Sequence, residues 1–208
     1  MSTYAVFTNK VTKKKLIYYP CPKNANTSAK MFFAKHLNVD QHYLFLGDQI
    51  PQADQTAEDY EGKQNIIKLI PSKQPFEKKK VDIKCCLVRD PIKRFISAYK
   101  NRILFHRDIQ FKDHSIDAIL EKLENNNFEN KHFLPQTYFL GNDLDYYTFW
   151  STTDNLSIFV EKVNDFFEKK IDFPKIQTGG SNFKINLSSP QIKKIEKIYI
   201  KDFMLINR

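Results

Sequence analysis

The sequence predicts an α/β fold, a three-layer domain in which helices flank a central, mainly parallel sheet. Segments with strand character alternate with segments of helical periodicity, and this order is typical of parallel sheets. Residues 81–88 alternate at first and then become continuously apolar, as a central strand buried on both faces does. The 208 residues, 41% of them hydrophobic, suffice for one sizeable core, so residues 1–208 are expected to form a single domain.

The N-terminal half supplies the first strands, the first helix and a long polar excursion. The expected elements are, in chain order, a core strand at residues 15–19 or around Val6, a helix at 27–37, a short strand at 43–46, and one strand at 66–70 within an excursion over 48–75. The helix is expected to turn Phe32, Phe33 and Leu37 inward.

The helix that starts at Pro91 is the best-defined element of the sequence. Asp90 is a favourable N-cap residue, and proline is favoured at the first helical position. An apolar stripe at helical spacing indicates the buried face, formed by Ile92, Phe95, Ile96, Tyr99 and Ile103. Arg94, Ser97 and Asn101 lie on the opposite face, which is either solvated or functional. Further expected elements are a helix at 115–123, a turn at 125–127, helices at 155–167 and 189–205, and a flexible loop at 178–182.

The charge balance is compatible with an anionic partner. The formal net charge of +9 is explained equally by solvating lysines and by a protein that handles anions. The arginines are more informative, because four of the five fall within residues 89–107. Arginine is preferred over lysine where a planar fork must grip phosphate or carboxylate.

Cysteine, histidine and hydropathy patterns exclude several classes of protein. Cys21, Cys85 and Cys86 form no redox or metal-binding motif, and the five histidines show no ligand-like spacing, so no metal site is expected. No apolar run approaches the roughly 20 residues of a membrane span, and the N-terminus lacks a signal-peptide stretch. These patterns favour a cytoplasmic protein without a membrane anchor.

A first candidate anion site follows the first core strand. A strand–loop–helix unit of this P-loop-like kind presents backbone N–H groups and the positive end of a helix dipole to an anion. Lys23 adds a full charge, and Thr27 and Ser28 add hydroxyl donors. The loop contains no glycine and its lysine comes first, unlike a Walker loop, which disfavours ATP or GTP hydrolysis. The alternative is a simple strand–helix turn with a solvated lysine.

A second candidate anion site lies where the strand at residues 81–88 meets the next helix. Arg89 could grip a phosphate with two parallel hydrogen bonds. Ser97 follows eight residues later, roughly 9 Å along the helix axis, so a phosphate beside the helix could reach both side chains. The alternative is that Arg89 pairs with a neighbouring acid and that Ser97 belongs to a solvated face.

At these two segments the sequence resembles a known family. Residues 22–28, Pro-Lys-Asn-Ala-Asn-Thr-Ser, resemble the 5′-phosphosulfate-binding motif of sulfotransferases that use 3′-phosphoadenosine-5′-phosphosulfate (PAPS). Residues 89–99 resemble their 3′-phosphate-binding motif, in which an arginine and a serine stand eight positions apart. Two weaker matches are to segments of the carbohydrate (chondroitin and heparan) branch and its bacterial relatives. They are residues 132–136, His-Phe-Leu-Pro-Gln, and residues 199–203, Tyr-Ile-Lys-Asp-Phe.

The resemblance implies sulfuryl transfer from PAPS to a hydroxyl, or less often an amine, of a glycan-like acceptor, leaving the desulfated nucleotide (PAP). It assigns the 5′ end of the donor to Lys23, Asn24, Ala25, Asn26, Thr27 and Ser28. It assigns the 3′-phosphate to Arg89 and Ser97, and charge stabilisation on the leaving phosphate to Lys23. His132 is the expected base, with His42 and His106 as rivals; a purely packing histidine at position 132 is an equal alternative. No metal is implied.

Two other functions compete with this one. A nucleic-acid-binding protein would suit the basic charge and the 14% aromatic content, although the aromatic residues fall largely at core periodicity. A P-loop-like nucleotide kinase would suit the strand–loop–helix pattern, although the glycine-free loop disfavours binding of ATP and Mg²⁺.

Overall fold

The computed structural model describes residues 2–9, 12–38, 65–72, 83–176, 179–180 and 182–207. The strands are β1 (Ser2–Asn9), β2 (Lys15–Tyr19), β3 (Asn65–Ser72), β4 (Ile83–Val88) and β5 (Phe149–Thr152). The α-helices are α1 (Asn26–Leu37), α2 (Pro91–Ala98), α3 (Ile116–Glu124), α4 (Gln136–Leu140), α5 (Ser157–Phe167), α6 (Ser189–Ile198) and α7 (Ile200–Ile206). A π-helix (Tyr99–Phe105) continues α2, and a 3₁₀ turn (Leu144–Tyr146) precedes β5.

The five described strands form one mixed sheet in the order β3-β1-β2-β4-β5. β4 runs parallel to both β2 and β5, with Leu16 opposite Ile83 and Cys85 opposite Phe149. β1 runs antiparallel to β2 and β3. The expectation of a mainly parallel sheet is therefore wrong for this half of the sheet. Only residues 10–14 connect β1 to β2, too few for the crossover that parallel neighbours need.

Helices pack against both faces of the sheet because successive strand side chains point to opposite sides. One face joins β2 and β4 to α1 and α5 through Leu16, Tyr18, Cys85, Leu87, Phe32, Phe33 and Phe159. The other joins them to α4 and α7 through Ile17, Tyr19, Cys86, Val88, Phe139, Leu140 and Leu205. The inward positions expected for Phe32, Phe33 and Leu37 are confirmed, since all three are buried.

A third apolar cluster lies beside the sheet and fixes the helix that carries Ser97. Phe95, Tyr99 and Ile103 pack there with Ile119 of α3 and Ile195 of α6. The apolar stripe predicted for the helix after Pro91 therefore does face a core. Within the described chain, no helix combines the length and the apolar character needed to cross a membrane.

The remaining predicted elements have mixed outcomes. The strand expected at residues 66–70 is present as β3, and the helix expected at 115–123 is present as α3 with Ser115 as its N-cap. The helix expected at 189–205 is divided at Tyr199 into α6 and α7. The short strand expected at 43–46 lies outside the described residues, as do residues 178 and 181 of the loop expected to be flexible.

Candidate functional site

The loop between β2 and α1 keeps backbone N–H groups open toward one end of the sheet. Lys23 and Ala25 have left-handed backbones, with φ of 69° and 54°, a conformation that costs a residue with a Cβ roughly 1–2 kcal/mol. α1 begins at Asn26 with no side-chain cap and no acidic residue in its first turn. Because the first N–H groups of a helix lack intrahelical partners, this turn offers donors and a positive dipole end to an anion.

The polar side chains of this first turn differ in their surroundings. Ser28 is buried, and its Oγ accepts a hydrogen bond from the Ile176 backbone N–H at 3.2 Å. Asn26 Oδ1 lies 3.5 Å from the Tyr18 hydroxyl. Thr27 is half-buried, and none of the described residues hydrogen-bonds its hydroxyl. The Thr27 hydroxyl is therefore the one that is most available to a ligand.

Asn24 points into the protein instead of toward the opening of the loop. It is fully buried, and its Nδ2 donates to the Leu87 carbonyl at 2.8 Å and to Gln136 Oε1 at 2.9 Å. Its backbone N–H donates to the carbonyl of Cys21 at 3.2 Å. Asn24 therefore sets the shape of the loop and leaves ligand contacts to its neighbours.

Arg89 brings the second loop into contact with the first. Its Nη1 donates to the Lys23 carbonyl at 2.9 Å. Gln136 hydrogen-bonds both loops. Its Nε2 donates to the Arg89 carbonyl at 2.8 Å. Its Oε1 accepts from Asn24 Nδ2 and, at 3.2 Å, from the Arg89 N–H. The Nε of Arg89 is buried and has no partner among the described residues. The loops that carry the two sequence motifs are therefore in direct contact.

The face of α2 opposite the apolar stripe is not a solvated face. Arg94 is only 2% exposed, and its Nε donates to the Pro22 carbonyl at 3.1 Å. Asn101 is buried as well, whereas Ser97 is half-buried with no hydrogen-bond partner for its hydroxyl among the described residues. Arg94 packs beneath the loop after β2, and both Arg94 and Asn101 are buried, so a solvated-face interpretation is wrong for these two residues.

Positive charge accumulates where the two loops meet. Burial lowers the pKa of Lys23 to about 8, and the nearby charges of Arg89, Arg102 and Arg94 lower it further in that order of importance. Burial also lowers the pKa of Arg89, although Asp154 and Asp90 act in the opposite direction. Cations held this close in a partly desolvated place favour an anion that carries several charges.

His132 stands close enough to this cluster for its charges to act on the ring. Burial lowers the pKa of His132 to about 4, with further lowering by Arg102, Lys23 and Lys131. The imidazole is therefore neutral at neutral pH, which is the state that a general base requires. Of the rivals, His106 is exposed and His42 lies outside the described residues.

The cysteines and the acidic residues do not suggest a second kind of chemistry. Cys21, Cys85 and Cys86 are buried free thiols, and burial raises the pKa of each, to about 12 for Cys21. Such thiols are inert. Among the described residues, no group of three or more His, Cys, Asp or Glu side chains could hold a metal ion.

Several residues of the site were not predicted from the sequence. Gln136 joins the two loops, and the carboxylate of Asp202 in turn accepts the N–H groups of Gln136 and Thr137 at 2.8 and 2.9 Å. Tyr199 donates to the Phe133 carbonyl at 2.7 Å. The signal that could have found them is the pair of short segments at 132–136 and 199–203, which hydrogen-bond each other in the structure.

The structure is a mixed α/β sheet flanked by helices, in which the loop after β2 and the loop after β4 are in direct contact. Residues 8–207 match the model of the Sulfotransferase family, and the chain belongs to that family. Comparison with curated proteins and comparison with solved structures found no match. The family match supports an enzyme that transfers a sulfuryl group.

Proposed function

We propose that this enzyme moves a sulfuryl group from PAPS to a hydroxyl, less often an amine, of a carbohydrate or glycan-like acceptor. We place it nearest the carbohydrate (chondroitin- and heparan-like) branch and its bacterial relatives, as a single domain over residues 1–208 with a P-loop-like, three-layer arrangement. The observation that carries the proposal is the hydrogen bond from Arg89 Nη1 to the Lys23 carbonyl, which unites the two loops that bear the motifs.

In this proposal the loop after β2 holds the 5′ end of the donor. The open N–H groups of residues 25–28, together with the Thr27 hydroxyl, bind the 5′-phosphate. Ser28 still has its hydroxyl proton to donate, because its oxygen is what accepts the Ile176 N–H. Asn26 contributes through its backbone, and Asn24 acts indirectly by holding the loop in shape.

Arg89 and Ser97 bind the 3′-phosphate in this proposal. The buried Nε of Arg89 has no partner among the described residues, and a phosphate oxygen would satisfy it. No residue that the structure describes hydrogen-bonds the Ser97 hydroxyl, so it can donate to the phosphate as well. Because Arg89 also holds the Lys23 carbonyl, binding at one end of the donor fixes the geometry at the other end.

The transfer step needs a base and a group that stabilises the leaving phosphate. The acceptor oxygen forms a bond to sulfur while the bond from sulfur to the bridging phosphate oxygen breaks, and PAP leaves with that electron pair. The hydroxyl proton passes to His132, and Lys23 stabilises the charge that develops on the leaving phosphate. Burial is the main cause of the low pKa of His132, and the surrounding cations lower it further. The donor's negative charges offset the effect of the cations and so raise the pKa of the ring toward its working range.

Membership of the family favours this chemistry over the two alternatives. A nucleic-acid-binding protein would account for the net charge of +9, and a P-loop-like kinase for the strand–loop–helix unit. Neither accounts for a sulfotransferase match that covers residues 8–207.

Calorimetric titration with PAP tests the proposal. We expect Arg89→Ala to weaken PAP binding by about 10- to 100-fold, since hydrogen bonds to charged groups contribute about 1.5–3 kcal/mol. Arg107→Ala is the matched control, because Arg107 is exposed and belongs to the same group of arginines. Unchanged affinity in Arg89→Ala would overturn the 3′-phosphate assignment, and a wild-type protein that does not bind PAP would overturn the whole proposal. A screen of glycan acceptors with labelled PAPS then identifies the acceptor.

A further inference from the structure

A chain of hydrogen bonds leads from a largely buried ion pair to His132. Arg102 donates from Nε and Nη2 to the two carboxylate oxygens of Asp108, each at 2.6 Å. Nδ2 of Asn130 donates to Oδ2 of the same carboxylate at 2.6 Å. On its other side, Asn130 Oδ1 accepts the backbone N–H of His132 at 3.0 Å and lies 2.8 Å from His132 Nδ1. Asn130 is 7% exposed, and the side chain of Asp108 is 8% exposed.

This chain determines which ring nitrogen of His132 carries the proton. An ionised carboxylate can only accept hydrogen bonds, so the Asn130 atom that faces Asp108 must be the NH₂ group. The other amide atom is therefore the oxygen, and an oxygen facing a ring nitrogen can only accept. Nδ1 of His132 must then be the protonated nitrogen, which leaves the lone pair on Nε2. Among the described residues, Nε2 has no hydrogen-bond partner.

We propose that Arg102, Asp108 and Asn130 are positioning residues that hold His132 in its Nδ1–H tautomer and direct the lone pair of Nε2 toward the acceptor. The tautomer rests on the hydrogen-bond chain alone, whereas its use as a base rests on the proposed function. Three segments of the chain meet here: the π-helix, the connection that follows it, and the loop before α4. A change at Asn130 would alter the basic nitrogen without removing a side chain of the donor site.

The arrangement also suits the ring after it has accepted a proton. Nδ1 continues to donate to Asn130 in the imidazolium, so no hydrogen bond has to be remade during the transfer. Asp108 favours the charged ring, while burial and the surrounding cations favour the neutral one. Because a neutral imidazole can adopt either tautomer, the choice imposed by Asn130 decides whether Nε2 can act as a base.

Nitrogen NMR of the full-length protein with labelled histidine tests the tautomer directly and needs no substrate. The signals of His132 are those that vanish in His132→Gln. We expect proton-bearing Nδ1 and unprotonated Nε2 at neutral pH. An Nε2–H tautomer, or a doubly protonated ring, would overturn the inference even if the enzyme transfers sulfuryl groups. The expected tautomer in a protein that does not bind PAP would instead leave the inference standing and remove the proposed function.

Substitution of Asn130 tests its positioning role. We expect Asn130→Ala to lose the Nδ1–H preference and to lower kcat about 10- to 100-fold, with PAP affinity changed by less than about twofold. Asn127→Ala is the matched control, since among the described residues the side chain of Asn127 bonds only the surface residue Glu129. If Asn130→Ala does not fold, Asp108→Asn replaces it, because an amide at position 108 no longer fixes the orientation of Asn130. A folded variant that keeps both tautomer and kcat would contradict the proposal.

Discussion

Lys23 contributes to the candidate site through both its backbone and the charge of its side chain. Its backbone is left-handed, and its carbonyl accepts a hydrogen bond from Arg89. Burial, followed by the charges of three arginines, lowers the pKa of its ammonium to about 8. Lys23 is therefore mostly protonated at neutral pH, but it loses its charge within a short pH range above this value. A bound anion would raise the pKa again, because a neighbouring negative charge favours the ammonium form.

We expect PAP affinity to weaken as the pH rises above about 8, by up to about tenfold per pH unit, because binding then requires Lys23 to take up a proton. The phosphates of PAP are already ionised at this pH, so their charge stays constant. Calorimetry across about pH 7–10 measures the effect, and Lys23→Arg should abolish it, because a guanidinium keeps its charge. Lys93→Ala removes an exposed lysine and should retain the effect. A wild-type affinity that stays constant over this range contradicts the role of Lys23.

The convergence of Lys23 and Arg89 could be predicted from the sequence, because each follows a buried strand and precedes a helix. The inward orientation of Asn24 could not, since a short loop has no periodicity that assigns its side chains to a side. The partnership of Asp108 and Asn130 was equally hidden, because it joins positions 22 residues apart through tertiary packing. Residues that hold other residues in place carry no local signal of that role.

Among the elements, α4 depends on a distant helix for its cap. α4 has five residues, and Pro135 at its N-cap position supplies no side-chain hydrogen bond. Asp202 of α7 caps the helix instead, because its carboxylate accepts hydrogen bonds from the first two N–H groups of α4. Asp202 is fully buried, and burial raises its pKa while Arg94 opposes the increase. Since α4 begins with Gln136, this cap also holds the residue that joins the two loops.

Asp202→Ala should therefore lower the free energy of unfolding by about 3 kcal/mol, because it leaves two buried N–H groups without their acceptor and removes a negative charge that interacts with the buried Arg94. PAP affinity should fall with it, as Gln136 loses its anchor. Urea unfolding and calorimetry measure the two effects. Asp172→Ala removes an exposed carboxylate and should change stability by less than about 0.5 kcal/mol. A loss of stability in Asp202→Ala no larger than in the control would show that α4 does not need this cap.

Elements with local start signals were predictable, and those shaped by distant contacts were not. α2 begins as expected, since Asp90 accepts the Lys93 N–H at 2.8 Å and Pro91 occupies the first helical position. The division of the last predicted helix was hidden, because apolar periodicity continues through Tyr199. Its hydroxyl bonds the Phe133 carbonyl in the interior, and its backbone departs from helical geometry there.

At the scale of the whole molecule, His36 links global stability to pH. The ring lies between Phe32 and Phe167, with centroid distances of 4.7 Å to both. It is 6% exposed, and neither of its nitrogens has a hydrogen-bond partner among the described residues. Burial, assisted by the charge of Lys169, lowers its pKa to about 4. The folded protein therefore keeps His36 neutral at a pH where the unfolded chain would protonate it.

The sign of the resulting pH dependence follows from proton uptake. Between an unfolded pKa of about 6.5 and the folded value of about 4, the unfolded chain binds more protons, so stability falls as the pH falls through this window. We expect His36 to account for a loss of about 1–2 kcal/mol between about pH 7 and pH 4.5, allowing for solvent screening. His36→Phe should suit the aromatic cluster and remove that part of the loss, measured by urea unfolding at both pH values. His106→Gln, at an exposed site, should retain the wild-type dependence. An equal loss in His36→Phe and wild type would mean that acid destabilises the fold through groups that both proteins share, and it would contradict the role of His36.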